Sequence, residues 1–186
     1  MIRFFDFVFS LVGIFILSPL FCLILILGFF DTQSPLFKQK RVGKNTKTFT
    51  LFKFRTMRVG TISRPTHESN PDQITKLGRF LRSKKIDELP QLFNVLIGNM
   101  SIVGPRPCLK SQQELISERE KRGVYELLPG ITGLSQINKI DMSNPKLLAE
   151  SDAKLVRNFT IFNYFKIILL TIFGKGQGDV LRKDHE

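Results

Sequence analysis

The chain begins with a long apolar run between basic flanks. From Phe7 to Phe30 there are 24 residues without a formal charge, which is enough for a helix to cross a bilayer. Arg3 and the amino terminus precede this run, and five basic residues follow it between Lys38 and Lys47. Basic flanks prefer the cytoplasm, so the pattern predicts that both ends of the segment lie on the same side of a membrane.

A Ser18-Pro19 pair interrupts the middle of the apolar run. Proline removes one helical hydrogen bond and bends a helix, and the serine hydroxyl can bond to the carbonyl that is set free. We therefore predict a re-entrant helix hairpin over residues 1–32 that anchors the protein to the membrane. A straight transmembrane anchor is the alternative. A cleaved signal peptide is disfavoured because the run is too long and lacks a small-residue cleavage site.

Alternating residues after the apolar run predict a β-hairpin. The expected strands are Phe37–Val42 and Thr48–Met57, on either side of a turn at Gly43-Lys44-Asn45. Side chains alternate along a strand, so Lys53 and Arg55 share one face, where two cations could grip a diphosphate. A nucleic-acid platform and an ordinary solvated face are the alternatives for these residues.

Helical spacing of apolar residues returns in the rest of the chain. The segment from Phe159 to Phe173 also contains Asn163 and Lys166, which favours an amphipathic helix in the membrane interface. Residues 60–73 and the glycine-rich stretch from Gly174 are expected to be a loop over a ligand and a tail. The other expected helices run from Ile74 to Leu81 with Arg79 and Arg82 on the polar side, from Leu89 to Leu96, within Leu109–Leu128, and from Asn144 through Asp152.

Two amide side chains and one carboxylate in the second half are candidates for substrate binding. Leu134–Asn138 is predicted as a strand with Gln136 and Asn138 on one side, where the amides could contact a uracil or a sugar. Hydrogen bonding to neighbouring backbone is the alternative. Asp152 can add a carboxylate to the site from a distance, or form a surface salt bridge.

The residues with the strongest chemical signal are Asp87 and Glu88. They follow a basic run at a predicted helix start, where Asp87 is a favoured N-cap type and Pro90 is tolerated in the first turn. A helix N-terminus binds phosphate and favours an ionised carboxylate, which could attack a phosphate as a nucleophile. Mg²⁺ could relieve the repulsion between the two carboxylates. A capping residue in an acidic first turn is the alternative.

A second candidate motif is Gly104-Pro105-Arg106-Pro107. Prolines on both sides of Arg106 restrict the backbone, which lowers the entropy cost of holding a guanidinium where it can bind phosphate through two parallel hydrogen bonds. A proline-rich turn that happens to contain an arginine is the alternative.

Charge and cysteine usage narrow the class of protein. The formal net charge is +12, and the block from Leu36 to Lys85, with 14 basic and two acidic residues, accounts for all of it (14 − 2 = 12). Such a block predicts an anionic partner: phosphate groups, a lipid surface or nucleic acid. Cys22 and Cys108 lack the spacing of a metal site or a disulfide framework, so we expect a cytosol-facing, reduced protein. His67 and His185 have no paired ligand and are given no role.

Ordered motifs along nearly the whole chain resemble the bacterial sugar transferase family, the small monotopic phosphoglycosyl transferases that act on polyprenyl phosphate. The segments that carry the resemblance are Ser18-Pro19, Phe52-Lys53-Phe54-Arg55-Thr56-Met57, Leu77-Gly78-Arg79-Phe80-Leu81-Arg82, Asp87-Glu88-Leu89-Pro90-Gln91-Leu92, Asn94-Val95-Leu96, Met100-Ser101-Ile102-Val103-Gly104-Pro105-Arg106-Pro107 and Pro129-Gly130-Ile131-Thr132-Gly133.

The resemblance implies an enzyme on the cytosolic face of the bacterial inner membrane that starts glycoconjugate assembly. It would transfer a sugar 1-phosphate from a UDP-sugar to undecaprenyl phosphate with Mg²⁺ and release UMP. Asp87 would be the nucleophile of a covalent aspartyl-phosphosugar intermediate, and Glu88 its partner in Mg²⁺ binding or proton handling. Arg106 would bind phosphate and Ser18-Pro19 would form the membrane bend, while the further candidates for substrate or phosphate binding are Lys53, Arg55, Arg82, Pro105, Pro107, Gln136, Asn138 and Asp152.

The sequence departs from the family pattern near the candidate sugar contacts. Leu134 stands where the family often has Trp, and Lys139-Ile140-Asp141 replaces Gly-Arg-Asn. These changes bear on the sugar rather than on the reaction. The short chain favours an N-acetylated amino or deoxyamino sugar by analogy, with transfer of glucose or galactose 1-phosphate as the alternative. A non-enzymatic, membrane-anchored module that binds anionic lipid or nucleic acid is a further alternative.

The expected fold is α+β and mainly helical. Residues 1–32 would form the membrane anchor, 33–158 a small cytosolic catalytic domain with a β-hairpin, and 159–186 an interfacial amphipathic helix and tail. The expected partners are the UDP-sugar, undecaprenyl phosphate and membrane lipids, without nucleic acid. A homodimer and contact with downstream glycosyltransferases stay open.

Overall fold

The computed structural model describes residues 1–61 and 71–174. Within these ranges the fold is α+β and mainly helical, with two small two-stranded sheets, as expected from the sequence. Most of the loop predicted between Gly60 and Gln73, the tail beyond Gly174, and both histidines lie outside the described residues. The elements are α1 (Ile2–Thr32), β1 (Leu36–Val42), β2 (Thr48–Phe54), α2 (Lys76–Ser83), α3 (Gln91–Leu96), β3 (Ser101–Val103), α4 (Gln113–Glu120), β4 (Gly130–Thr132), α5 (Leu134–Ile137), α6 (Pro145–Arg157) and α7 (Ile161–Ile172).

Helix α1 is continuous through Pro19, so residues 2–32 form one helix rather than two helices joined by a loop. The reason lies in the serine that precedes the proline. Pro19 has no N–H to donate to the carbonyl of Phe15, and the Ser18 hydroxyl donates to that carbonyl instead, at 2.8 Å. The predicted role of the serine is confirmed, and it lets one 31-residue helix pass the proline.

Both halves of α1 pack on the rest of the protein. Near its start, Asp6 accepts hydrogen bonds from Ser101, from the backbone N–H of Ile102 and from Tyr164. In its second half, the Phe21 ring lies 5.5 Å from the ring of Phe54, at the end of β2. The helix therefore runs along the body that carries the candidate site rather than projecting away from it.

The predicted β-hairpin is confirmed. Strands β1 and β2 pair antiparallel, and Phe37 lies opposite Lys53. The other edge of β2 is covered by the buried Asn94 of α3, whose amide accepts from the N–H of Phe52 and donates to the carbonyl of Thr50. One side chain thus substitutes for a neighbouring strand and fixes α3 beside β2.

Thr75 caps the N-terminus of α2, and its hydroxyl accepts from the N–H of Gly78. A Cβ at Gly78 would meet the backbone of Thr56 at 2.1 Å, so only glycine allows this close approach of α2 to the end of the hairpin. Phe80 of this helix is 57% exposed and does not enter the core.

The second sheet holds the loop that carries Arg106. Strands β3 and β4 are parallel, and a Cβ at Gly104 would meet the Leu128 carbonyl oxygen at 2.3 Å. The strand predicted at Leu134–Asn138 is wrong, because Leu134–Ile137 forms the short helix α5. Five residues without strict alternation cannot distinguish a buried turn of helix from a strand.

Helices α6 and α7 form in the two segments where helices were predicted. Asn144 caps α6 and Thr160 caps α7, each through its side-chain oxygen. Helix α7 packs against the start of α1, where the Phe165 ring lies 5.1 Å from that of Phe5. Its other side leaves Phe162, Ile172 and Phe173 exposed.

Candidate active site

The two adjacent carboxylates lie in a tight turn before α3, not at the N-terminus of that helix. Residues Ile86–Glu88 form one turn of 3₁₀-helix, and α3 begins only at Gln91. Pro90, which has no N–H to continue the helical ladder, separates the turn from α3, and Lys85, with a left-handed φ of 57°, separates it from α2. The prediction that Asp87 caps an α-helix is therefore wrong, although a turn does present the pair at this point.

Glu88 is held by two cations from different elements. Lys53 of β2 donates to its Oε1 at 2.6 Å, and Arg106 donates to the same oxygen at 2.9 Å. Burial alone would raise the pKa of Glu88, but Arg106 and Lys53 outweigh burial and hold that pKa well below its ordinary value. Glu88 is therefore ionised at physiological pH.

Asp87 is 8% exposed and behaves in the opposite way. Burial raises its pKa; Lys53 pulls the value down, the negative charge of Glu88 adds to the rise, and Arg82 and Arg106 oppose it. The net result is a pKa above the ordinary 3.8, because burial and the charge of Glu88 outweigh the three cations. Two neighbouring carboxyls with pKa values displaced in opposite directions are typical of catalytic pairs.

Of the other cations predicted for the site, Lys53 and Arg82 reach it and Arg55 does not. The Arg82 Nε donates to Thr56, at 2.9 Å, while its charge acts on Asp87. Arg55 instead donates to the carbonyl of Ser34 and stacks over Phe37. Strand β2 ends at Phe54, so the alternation that placed Lys53 and Arg55 on one face stops before Arg55.

The loop around Arg106 is tied down at its proline carbonyls. The Pro105 carbonyl accepts from the N–H of Gly130, and the Pro107 carbonyl accepts from Arg41. Neither proline offers a charged group, so their predicted contribution to binding reduces to the conformation of this loop. The backbone is therefore fixed on both sides of Arg106, whose guanidinium contacts Glu88.

The remaining predicted site residues lie away from the carboxylate pair. Gln136 donates to the carbonyl of Ile131, which matches the alternative of bonding to neighbouring backbone, and its buried Oε1 has no hydrogen-bond partner among the described residues. Asn138 is exposed at the end of α5. Asp152 is neither at the surface nor beside Asp87; it is buried and paired with Arg119.

Sequence reasoning missed Arg119. It lies in the charged segment Leu109–Leu128, which was predicted only to contain a helix, yet it is fully buried. The available signal was its spacing: Arg119 follows the buried Leu115 by four residues and therefore shares its face of α4.

The residues present fit a Mg²⁺ ion that takes most of its ligands from elsewhere. Asp87 and Glu88 supply carboxylate oxygens, and no cluster of three or more His, Cys, Asp or Glu side chains occurs in the described parts of the chain. Mg²⁺ is commonly bound by one or two carboxylates together with water and substrate phosphates.

A basic groove of about 380 Å³ lies along β1. It lies between β1 and residues 109–111. Three ammonium groups and no carboxylate line it, which suits an anionic ligand. The lining residues are Phe37, Lys38, Gln39, Lys40, Leu109, Lys110 and Ser111.

Comparison with known proteins gives a match over nearly the whole chain. The family model described as "Bacterial sugar transferase" matches residues 1–176. Exopolysaccharide production protein PSS of Rhizobium leguminosarum is 35% identical, covering 91% of this chain and 92% of that protein. The uncharacterized sugar transferase EpsL of Bacillus subtilis is 43% identical over 73% of this chain and 67% of its own length.

Some relatives have names that state a reaction. UDP-glucose:undecaprenyl-phosphate glucose-1-phosphate transferase of Escherichia coli is 34% identical over 90% of this chain. The chain spans only 38% of that protein. It likewise spans about a third of the other relatives named for glucose or galactose transfer.

Proposed function

Since this chain belongs to the bacterial sugar transferase family, we propose that it transfers a sugar 1-phosphate from a UDP-sugar to undecaprenyl phosphate and releases UMP. The observation that carries the proposal is the buried pair Asp87 and Glu88, faced by Lys53, Arg82 and Arg106. Phosphoryl transfer needs positioning and neutralisation of negative charge more than strong acid–base groups. Lys53, Arg82 and Arg106 supply the positive charge, and Asp87 supplies the carboxylate that reacts.

In the proposed reaction, a carboxylate oxygen of Asp87 attacks the phosphorus that bears the sugar. The bond from this phosphorus to the bridging oxygen of the diphosphate breaks, UMP leaves with the bonding electrons, and the sugar phosphate is bound to Asp87 as an acyl phosphate. An oxygen of undecaprenyl phosphate then attacks the same phosphorus and releases the Asp87 carboxylate. No external oxidant or reductant is needed.

The other residues divide the charge between them. Glu88 keeps Lys53 and Arg106 beside Asp87, and both cations can turn to the phosphate oxygens when the donor binds. Mg²⁺, bound through Asp87 and Glu88, would neutralise charge on the diphosphate.

For the sugar, the first candidate is glucose or galactose. Relatives are named for these two hexoses, and each matches most of this chain. An N-acetylated amino sugar, which the length of the chain suggested, is the second candidate. Both use the same chemistry, so the choice does not affect the roles of Asp87 and Glu88.

A panel of UDP-sugars tests the reaction. Membrane fractions containing the protein, with undecaprenyl phosphate and Mg²⁺, should release UMP from one of UDP-glucose, UDP-galactose or UDP-N-acetylglucosamine. Release of UDP would mean ordinary glycosyl transfer and would exclude the proposed attack at phosphorus. Absence of both nucleotides with every donor would favour a non-enzymatic lipid-binding module.

The membrane arrangement that we propose is monotopic, on the cytosolic face of the inner membrane. Support comes from α1, whose two halves both contact the body that bears the site. Arg3 donates to the carbonyls of Met100 and Leu96, while Phe21 packs on Phe54 and Phe93. A straight span would place Arg3 across the bilayer from these partners, about 30 Å away. The apolar side chains left exposed by α1 and α7 would enter the membrane.

Cysteine labelling tests this arrangement. In a Cys22→Ser background, a cysteine-bearing extension ahead of Met1 should react with an impermeant maleimide in inside-out vesicles only. Ser117→Cys on the exposed side of α4 is the matched control for the cytosolic side. Labelling of the extension in right-side-out vesicles, where the control stays unlabelled, would show that α1 spans the membrane.

A further inference from the structure

A buried ion pair lies beneath the loop that carries Arg106. Arg119 of α4 and Asp152 of α6 each have side chains that are 1% exposed. The Nε and Nη2 of Arg119 donate to one oxygen of Asp152, at 2.9 and 2.6 Å, and the other oxygen accepts from Ser135 at 2.6 Å. Both charges are therefore fully compensated, and the orientation of the guanidinium is fixed.

The third donor of this guanidinium is directed at the candidate active site. Nη1 of Arg119 donates to the backbone carbonyl of Arg106 at 2.9 Å. The side chain of Arg106 in turn contacts Glu88. A continuous series of hydrogen bonds thus runs from Asp152 through Arg119 and the Arg106 backbone to the carboxylate pair.

Three successive carbonyls of the loop are held by three different elements. Gly130 of β4 donates to Pro105, Arg119 of α4 to Arg106, and Arg41 of β1 to Pro107. The prolines limit the conformations of the loop, and these bonds select one of them. Arg119 is the donor at the one position whose side chain reaches Glu88.

Stability alone is a weak reason for such a pair. Replacing a buried ion pair by apolar residues is often neutral or stabilising, because two charges must be desolvated. What an apolar pair could not do is donate to the Arg106 carbonyl. Lysine could not do it in the same way either, because it lacks the planar fork that serves two acceptors at fixed angles.

We propose that Arg119, oriented by Asp152 and Ser135, is a positioning residue that fixes the backbone at Arg106 and thereby keeps its guanidinium on the phosphate side of Glu88. Where the effect of changing Arg119 is measured as turnover, this proposal rests on the proposed function. Small displacements of a positioned group can cost up to about 100-fold in rate.

The test uses Arg119→Lys, which keeps a buried cation beside Asp152. We expect turnover to fall roughly 10- to 100-fold with little change in thermal unfolding. In an Arg106→Gln background the same change should cost less than about 2-fold, because the group that it positions is gone. Equal losses in both backgrounds, or wild-type turnover in Arg119→Lys, would overturn the proposal.

A readout that does not depend on activity separates this proposal from the proposed function. Amide hydrogen exchange in Arg119→Lys should accelerate at Gly104, Gly130 and Val42, whose N–H groups form hydrogen bonds in or to this loop, and stay unchanged in β2. If the wild type released no UMP but this local effect were found, the proposed function would fail and the fixing of the loop would stand. Unchanged exchange at these three amides would refute the fixing of the loop.

Discussion

Asp87→Asn should abolish nucleotide release while making the protein more stable. Loss of a covalent nucleophile typically lowers turnover by about 10⁴-fold or more, since an amide cannot form the acyl phosphate. The gain in stability has a separate cause. The folded protein buries Asp87 beside another negative charge, which raises its pKa, so folding at neutral pH works against its ionisation. Removing that charge should stabilise the fold by about 1 kcal/mol.

The pH dependence of this gain has a definite sign. Because the folded state favours protonated Asp87, wild-type stability decreases as the pH rises from the ordinary pKa of an aspartate through the raised value. The Asn variant lacks this decrease. The difference in melting temperature should therefore be small near pH 4 and reach its full size near neutrality.

Asp31→Asn is the matched control, because it is the same substitution at an exposed position at the end of α1. Thermal unfolding in detergent at several pH values, with UMP release measured on the same preparations, checks both effects. A variant that is inactive and less stable than the wild type at neutral pH would contradict the unfavourable burial of an ionised Asp87.

The same raised pKa constrains the rate of the proposed reaction. The nucleophile must be ionised, so turnover should decline on the acid side at a higher pH than for an ordinary aspartate. A bound donor and Mg²⁺ change the charge around Asp87, so this limb is best measured in kcat/KM, which reports the free enzyme.

The sequence was a good guide to elements with long, regular patterns. The apolar run of α1, the alternation of the hairpin and the helix that starts at Asn144 each rest on several residues that agree. The candidate pair was also identified from the sequence, because adjacent acids after a basic run are chemically unusual. Short elements were not predictable in this way: α5 has four residues, too few to establish a period.

Contacts between distant segments decided the rest of the site. Nothing local indicates that Arg55 bonds to Ser34 rather than to phosphate, or that Asp152 meets Arg119 33 residues earlier. The rise in the pKa of Asp87 could not be predicted from the sequence for the same reason. Its direction depends on burial and on Glu88 outweighing three cations, a balance that exists only once β2, α2 and the Arg106 loop surround the turn.

Glu88→Gln should have the opposite thermodynamic effect from Asp87→Asn. Glu88 accepts from Lys53 and Arg106 through one oxygen, and an amide cannot compensate their charges. Loss of two charge-assisted hydrogen bonds in a largely buried place should cost about 2–3 kcal/mol of stability. Turnover should fall on the order of 10²-fold, because both cations lose the group that holds them near the phosphate.

The pH dependence of this loss of stability follows from the lowered pKa of Glu88. A carboxyl whose folded pKa is lowered stabilises the fold fully above its ordinary value of 4.5, and this contribution is lost as the pH falls towards the folded value. The stability difference between the wild type and Glu88→Gln should thus be constant at neutral pH and shrink in acid. Urea unfolding at neutral and acid pH would measure it.

A double-mutant cycle with Lys53→Gln separates this ion pair from a general loss of packing. The two substitutions remove the same bond, so their destabilising effects should combine to clearly less than their sum. Strict additivity would mean that the 2.6 Å contact contributes nothing to stability. Glu88 would then have to act on the reaction directly, without Lys53.

The opposite signs expected for Asp87 and Glu88 follow from one physical difference: Glu88 holds the cations through hydrogen bonds, whereas Asp87 is buried beside them and beside the charge of Glu88. That difference is what leaves Asp87 available to attack.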